Sequence, residues 1–337
     1  FLSFNNKQDF KIASIRFENF DTSYVTDMSN MFFLAGGTIT SLDLSGWNVS
    51  NVKTMEFMFA NSNRLTEVNL SGWDVSNVTD MTDMFFRCYM LERIIGVENF
   101  NTSNVTSMTE MFSYCENLTS LDVTNFDTAK VTNMGSMFSG CSSLTALDVT
   151  NFDTSNVTNM NGGGGGTYGM FRNCSSLTTL DVTHFDTSKV TGMDYMFAGC
   201  TNLTALDVTN FNTSKVTNMY LMFKGCKNLT ELDLSSFDTS NVTDMESMFQ
   251  DCTKLKTIKA SENFNTHKVT KSSFMFSGCN SLVGGEGTKY SVAKVHNASY
   301  ARIDGGPSSA APGYFTGDLT TNRATGYSDA PGLSLGS

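Results

Sequence analysis

Proline is almost missing from this chain of 337 residues. There are 3, and Pro307, Pro312 and Pro331 all lie in its last tenth. Charge is scarce too, at 16% against 40% apolar residues, which excludes a disordered, solvated polymer. Basic residues are the minority, 22 Lys plus Arg against 33 acids, for a net charge of −11. That balance argues against nucleic acid or an anionic membrane as partner, since both call for cationic patches. No apolar run approaches the ~18 residues that cross a bilayer, so membrane insertion is not expected. The opening Phe1-Leu2-Ser3-Phe4 has no basic stretch before it, so any signal peptide is expected to have been removed or to lie outside this sequence. Histidine is limited to His184, His267 and His296, at irregular places. No G-x-S-x-G, H-E-x-x-H or phosphate-loop pattern accompanies them, so an enzyme is not expected.

What is abundant is Met (20), Phe (27) and Cys (8), a skew that signals one short unit copied many times. The pair Met-Phe begins at Met31, Met58, Met84, Met111, Met137, Met170, Met196, Met222, Met248 and Met275. The spacing is 26 or 27 throughout once a seven-residue Gly-rich insertion near 162–168 is removed. Ten units therefore fill 12–282. All Met except Met90 occupy two positions of the unit, and the ninth position is Phe or Trp in every copy, including Trp47 and Trp73. The expected organisation is an N-terminal cap (1–11), the repeats (12–282), a C-terminal capping module (283–316) and a flexible tail (317–337). The glycines at 162–166 read as an engineered or exposed flexible loop, tolerated because loop cost grows slowly with length.

Two periods alternate within a unit. Leu118, Leu121 and Val123 alternate with Asp122 and Thr124, as in a short half-buried strand. Met134, Met137, Phe138 and Cys141 fall at i, i+3, i+4 and i+7, one face of a short helix, with Thr132 and Gly140 as candidate caps. One unit cannot bury its own apolar face, so stacked units must supply the core.

The strings Leu144-Thr-Ala-Leu-Asp-Val-Thr-Asn-Phe-Asp153 and Met134-Gly-Ser-Met-Phe-Ser-Gly-Cys141 resemble the 26-residue leucine-rich repeat of BspA-like bacterial surface proteins. Tyr300-Ala-Arg-Ile-Asp-Gly-Gly306 with Pro312-Gly-Tyr-Phe-Thr316 resembles the module that closes many such arrays. The resemblance covers about 300 residues. It implies an α/β fold: a right-handed leucine-rich-repeat solenoid with a parallel β-sheet on one face and short helical turns on the other. It further implies an extracellular, cell-surface or cell-wall-associated adhesion or recognition protein. Expected partners are a protein or glycan on host or neighbouring cells, or the protein itself in an assembly. A filament or surface-layer subunit is the competing reading. No sorting motif stands at Ser337, so the chain is expected to continue or to attach by another route.

Three columns could carry chemistry. Cys88, Cys115, Cys141, Cys174, Cys200, Cys226, Cys252 and Cys279 share one inward position, which favours a ladder of buried thiols over disulfides; no C-x-x-C pair supports zinc. The tenth position is always Asp or Asn, so its side-chain oxygen rather than its charge is needed, as in an Asx turn. The fifth position varies but holds Asp122, Asp148, Asp181, Asp207 and Asp233 in succession, pointing out of the strand. This column is a Ca²⁺ candidate or, in the favoured reading, a solvated acidic face, since no D-x-D-x-D-G loop accompanies it. No other cofactor is expected. Together with Thr124, Thr150, Thr183 and Thr209 it forms the candidate binding face. Thirteen N-x-S/T sequons, Asn77, Asn104, Asn156 and Asn241 among them, follow mostly from the repeat itself.

Overall fold

The computed structural model describes residues 14–15, 17, 21–35, 39–162 and 168–317. The expected N-terminal cap, nearly all of the tail and the glycines at 163–166 lie outside them. The chain winds as a solenoid, each coil one repeat. On one face lie β1 (Ser14–Ile15), β2 (Ser41–Asp43), β3 (Glu67–Asn69) and β4 (Arg93–Ile95), paired in parallel in that order. Further along, β5 (Glu231–Leu234), β6 (Thr257–Ala260) and β7 (Phe315–Gly317) form a second parallel sheet. Register follows the repeat, with Leu42 beside Val68 and Leu232 beside Ile258.

The core runs the length of the array. Met55, Met58 and Phe59 of one coil have no exposed surface, and the Met-Phe pair is closed in every following coil up to Met275 and Phe276, with Cys88 to Cys279 buried beside it. Rings of Phe32, Phe59, Phe85, Phe112, Phe138, Phe171, Phe197, Phe223, Phe249 and Phe276 stack 5.0–5.9 Å apart and within 9° of parallel. Their spacing is close to that of neighbouring strands, so coil pitch and ring stacking reinforce each other.

The face opposite the strands corrects the expected helix. Met134 to Cys141 form successive tight turns instead. Met137 N–H donates to Met134 O at 3.2 Å and Cys141 N–H to Phe138 O at 3.1 Å, while Met134, Phe138 and Gly140 donate to Asn159, Met170 and Arg172 of the next coil. Alternate N–H groups thus close a turn and reach sideways. The turns need positive φ at Ser136 (56°) and Gly140 (76°). Gly140 is therefore a turn residue rather than a helix cap, and the Thr132 hydroxyl donates to Thr106 O. Inward residues still recur at i, i+3, i+4 and i+7, which is why the pattern reads as helical. Single-residue parallel bridges from Asp27 through Thr54, Asp80, Ser107 and Asn133 to Asn159, and from Gly192 to Lys271, continue this lateral ladder along the array.

Buried polar groups are satisfied between coils. Each of the eight cysteines is free and buried, and its thiol donates to the carbonyl of the preceding coil's core Phe, as Cys88 does to Phe59 O at 3.1 Å. Ser62, at the same position one coil earlier, donates to Phe32 O at 2.9 Å. Every repeat but the first, which has the buried Ala35, thus places a small donor here, and burial pushes the Cys88 and Cys200 thiols up to about 12. Sequon amides are also occupied: Nδ2 of Asn77, Asn104, Asn156 and Asn241 donates to backbone of the coil before. A glycan on Nδ2 would leave it a single hydrogen and so compete with each of those bonds.

After the last repeat, Tyr314 and Phe315 are buried against Phe276. Asp304 organises this segment by accepting from Glu286 N, Thr288 N and Oγ1, Gly306 N and Gly313 N. Burial opposes its ionisation, but the bonds from Thr288, Gly306 and Gly313 outweigh it and hold the carboxyl down at about 2. The aspartate of the Tyr300–Gly306 string thus ties the segment together.

Candidate recognition surface

All ten tenth-position residues, Asp21 to Asn265, accept the N–H two residues on through Oδ1. Where the fifth position holds Asp or Asn it does the same, which the variability of that position concealed. Oδ1 of Asp122, Asp148, Asp181 and Asp207 takes the N–H of Thr124, Thr150, Thr183 and Thr209 at 3.0 Å and their hydroxyls at 2.6–2.7 Å. These bonds hold the carboxyls of Asp122, Asp148 and Asp181 below the usual carboxylate range. Each Thr on the candidate face therefore orients the Asp two residues before it.

The aspartate column is not uniform. Asp233 lies in β5, bonds Ser235 in the same way, and faces Lys259, which also pairs with Glu231 at 2.5 Å. No salt bridge among the described residues reaches Asp122, Asp148, Asp181 or Asp207, although His184 stands near Asp148 and Asp181, and there the strand ladder is open. Among the described residues no backbone hydrogen bond joins 121–123, 147–149, 180–182 and 206–208 to one another. Leu147, Leu180 and Leu206 are each 7% exposed, against 1% for Leu232 and 0% for Ile258 in the paired sheet, while Ile94, in the paired strand that borders the open stretch, is half-buried.

This open stretch carries a groove of about 470 Å³. Leu147, Leu180 and Leu206 form its floor, with Ala146, Thr179 and Ala205 beside them. Asp148, Asp181, Asp207, Thr150 and Thr183 rim it. Five of the nine residues expected on the binding face thus meet in one place, while Asp122, Thr124, Thr209 and Asp233 lie outside it. Among the described residues no group of three or more His, Cys, Asp or Glu side chains could hold a metal ion.

A second surface was hidden from the sequence. Edge-to-face aromatic contacts run from Phe86 and Tyr89 through Tyr114, Tyr168 and Tyr195 to Tyr220. Arg87 lies 4.7 Å over Phe86, and Arg172 lies 4.4 Å over Tyr168 and donates to the Tyr114 hydroxyl at 3.1 Å. These residues do not share one repeat position, so aligning the units scatters them. The only signal was that tyrosine and arginine appear where other coils carry small residues.

Buried columns with outward residues free to differ define a repeat solenoid that presents side chains on a stiff frame. The chain belongs to the family described as "Mycoplasma protein of unknown function, DUF285", whose model matches residues 2–96, 91–162 and 166–300. Among the solved structures that match are three bacterial leucine-rich-repeat proteins. A leucine rich cell surface protein from Faecalibacterium prausnitzii is 17% identical over 80% of this chain and 85% of its own, with a TM-score of 0.31. A leucine-rich repeat protein from Bacteroides ovatus is 18% identical over 77% and 82%, at 0.24, and one from Eubacterium ventriosum is 17% identical over 75% and 85%, at 0.29. A comparison with curated proteins finds no match. Among the described residues no helix is long and apolar enough to cross a membrane.

Proposed function

We propose that this protein is a non-enzymatic recognition solenoid displayed outside a bacterial cell, binding a protein on a neighbouring cell or host through its strand face. The observation that carries this reading is the groove in that face, where successive coils present Asp148, Asp181 and Asp207 over a floor of Leu147, Leu180 and Leu206. Extracellular placement is supported by the resemblance of the repeat to surface proteins, and thiols this buried and weakly acidic are compatible with an oxidising compartment. Right-handed winding, the usual sense for parallel crossovers, belongs to the same reading. The test is a pull-down from host and bacterial surface extracts with wild type and with D148N/D181N/D207N. A protein captured by the first and lost by the second supports the assignment, and no capture by wild type sinks it.

The filament or surface-layer reading has one observation of its own. Lys130, Lys189, Lys215 and Lys268 share one exposed repeat position, with Asn156 and Asn241 interspersed, so a second copy could set some of these cations against its aspartate column. Monomers throughout negative-stain fields under assembly conditions would count against it.

A further inference from the structure

We infer that the groove takes a lysine- or arginine-bearing segment of a partner protein, with aliphatic stems on the leucine floor and cationic heads at the aspartate rim. The inference rests on the recognition reading above and names the chemistry of its partner.

The groove combines two requirements that one kind of side chain satisfies together. Its floor is apolar, and Leu147, Leu180 and Leu206 are more open to solvent than Leu42, Val68, Leu232 and Ile258 of the paired sheets. Its rim holds Asp148, Asp181 and Asp207, all exposed, and no salt bridge involves them among the described residues. Lysine and arginine lay a hydrocarbon stem along apolar surface while keeping the charge at its edge. A neutral apolar segment would cover the carboxylates without pairing them, at a desolvation cost. An acidic one would be repelled.

The rim is also preorganised. The bonds from Thr150, Thr183 and Thr209 fix each carboxylate through Oδ1, so a cation meets acceptors already oriented, and Oδ2 takes no part in those bonds. Groups held in their bound geometry lose little entropy on association. A guanidinium fork suits such a carboxylate well. The groove is wide open to solvent along its length, which suits side chains of a macromolecule rather than an enclosed small ligand.

The test uses the full chain and a fluorescein-labelled peptide of alternating lysine and alanine, with its glutamate counterpart as control, followed by anisotropy over a salt series. Wild type is expected to bind the lysine peptide alone, more weakly as salt rises. D148N/D181N/D207N is expected to bind it at least about tenfold more weakly. Asn69 makes the same turn as these aspartates, so the variant keeps its local structure. D74N/D153N/D186N removes equal charge from the tenth-position column and is expected to bind within about twofold of wild type. A146R/A205R places cations in the groove itself and is expected to block the peptide.

Equal loss in both asparagine triples would mean that net charge alone attracts the peptide, and would overturn the inference. So would wild type that ignores the lysine peptide, or self-association that D148N/D181N/D207N abolishes, which would make a second copy the occupant. Pull-down partners retained by that variant would leave the recognition reading standing and remove the groove from it. Lysine-peptide binding with no partner captured by wild type would do the reverse.

Discussion

Coils on either side of the array's middle pair their strands, and the four coils between them do not. Core packing is not the difference, since Phe, Met and Cys columns pass through the middle unbroken. Nor does the opposite face open over the same stretch: Ser107, Asn133 and Asn159 are bridged, as are Gly192 and Asn218, with a gap only between Asn159 and Gly192 where the insertion lies. The difference lies in what faces what across the strands. In the paired sheets Glu67 meets Arg93, and Lys259 sits between Glu231 and Asp233. In the middle, aspartate follows aspartate. Like charges directly opposite one another weaken a ladder.

Carboxylates crowd the turn face as well, at Glu56, Asp80, Asp83 and Glu110, yet its bridges persist. Burial, reinforced by Glu110, Glu56 and Asp80, pushes Asp83 up to about 7, so a proton relieves part of the repulsion near neutral pH. The outward aspartates cannot use that route, because their threonines hold Asp122, Asp148 and Asp181 in the ionised form. Separation of the backbones is the relief left to them. Exposure thus decides whether like charge is met by protonation or by opening.

The comparison can be broken in several ways, taken from the largest effect to the smallest. Truncating an inward leucine should cost about 3–4 kcal/mol at Leu232 but only about 2 at Leu180, where the site is already partly wet; denaturant unfolding of the two variants measures this. Equal costs would mean the middle is as tightly closed as the flank. Lys259→Asp should open the β5–β6 ladder, and Asp181→Lys should close part of the middle. Hydrogen exchange is expected to speed up at 257–260 in the first and slow at 147–149 and 206–208 in the second.

Asp83→Asn should sharpen the contrast between faces. The folded carboxyl holds its proton to about pH 7 and the unfolded one releases it near 3.8, so its contribution falls as pH rises between those values. The variant should melt higher than wild type at pH 8, by at least about 1.4 kcal/mol of stability, and equally at pH 4. Asparagine also suits the positive φ of 57° there. Smallest of all, Cys200→Ser and Cys252→Ser should each cost less than about 1 kcal/mol, alike in both regions, because Ser62 already makes the same bond. A marked difference between them would place the contrast in the core after all.

The sequence by itself determined the unit, its length, and which positions face inward. Copying enforces those columns, because any residue facing the axis meets its own equivalents above and below. It also determined the Asx turns, since a position that alternates Asp with Asn can require only the shared oxygen. The tertiary structure alone decided between helix and paired turns. Met134, Met137, Phe138 and Cys141 satisfy both, and lateral hydrogen bonds to the next coil, which no local pattern encodes, select the turns. It alone separated Asp233, neutralised by Lys259, from Asp148, Asp181 and Asp207 over an open groove, because pairing across coils depends on what stacks 26 residues away. The aromatic ribbon through Tyr114, Tyr168 and Tyr195 has the same origin: residues at unlike repeat positions become neighbours only once the coils are wound.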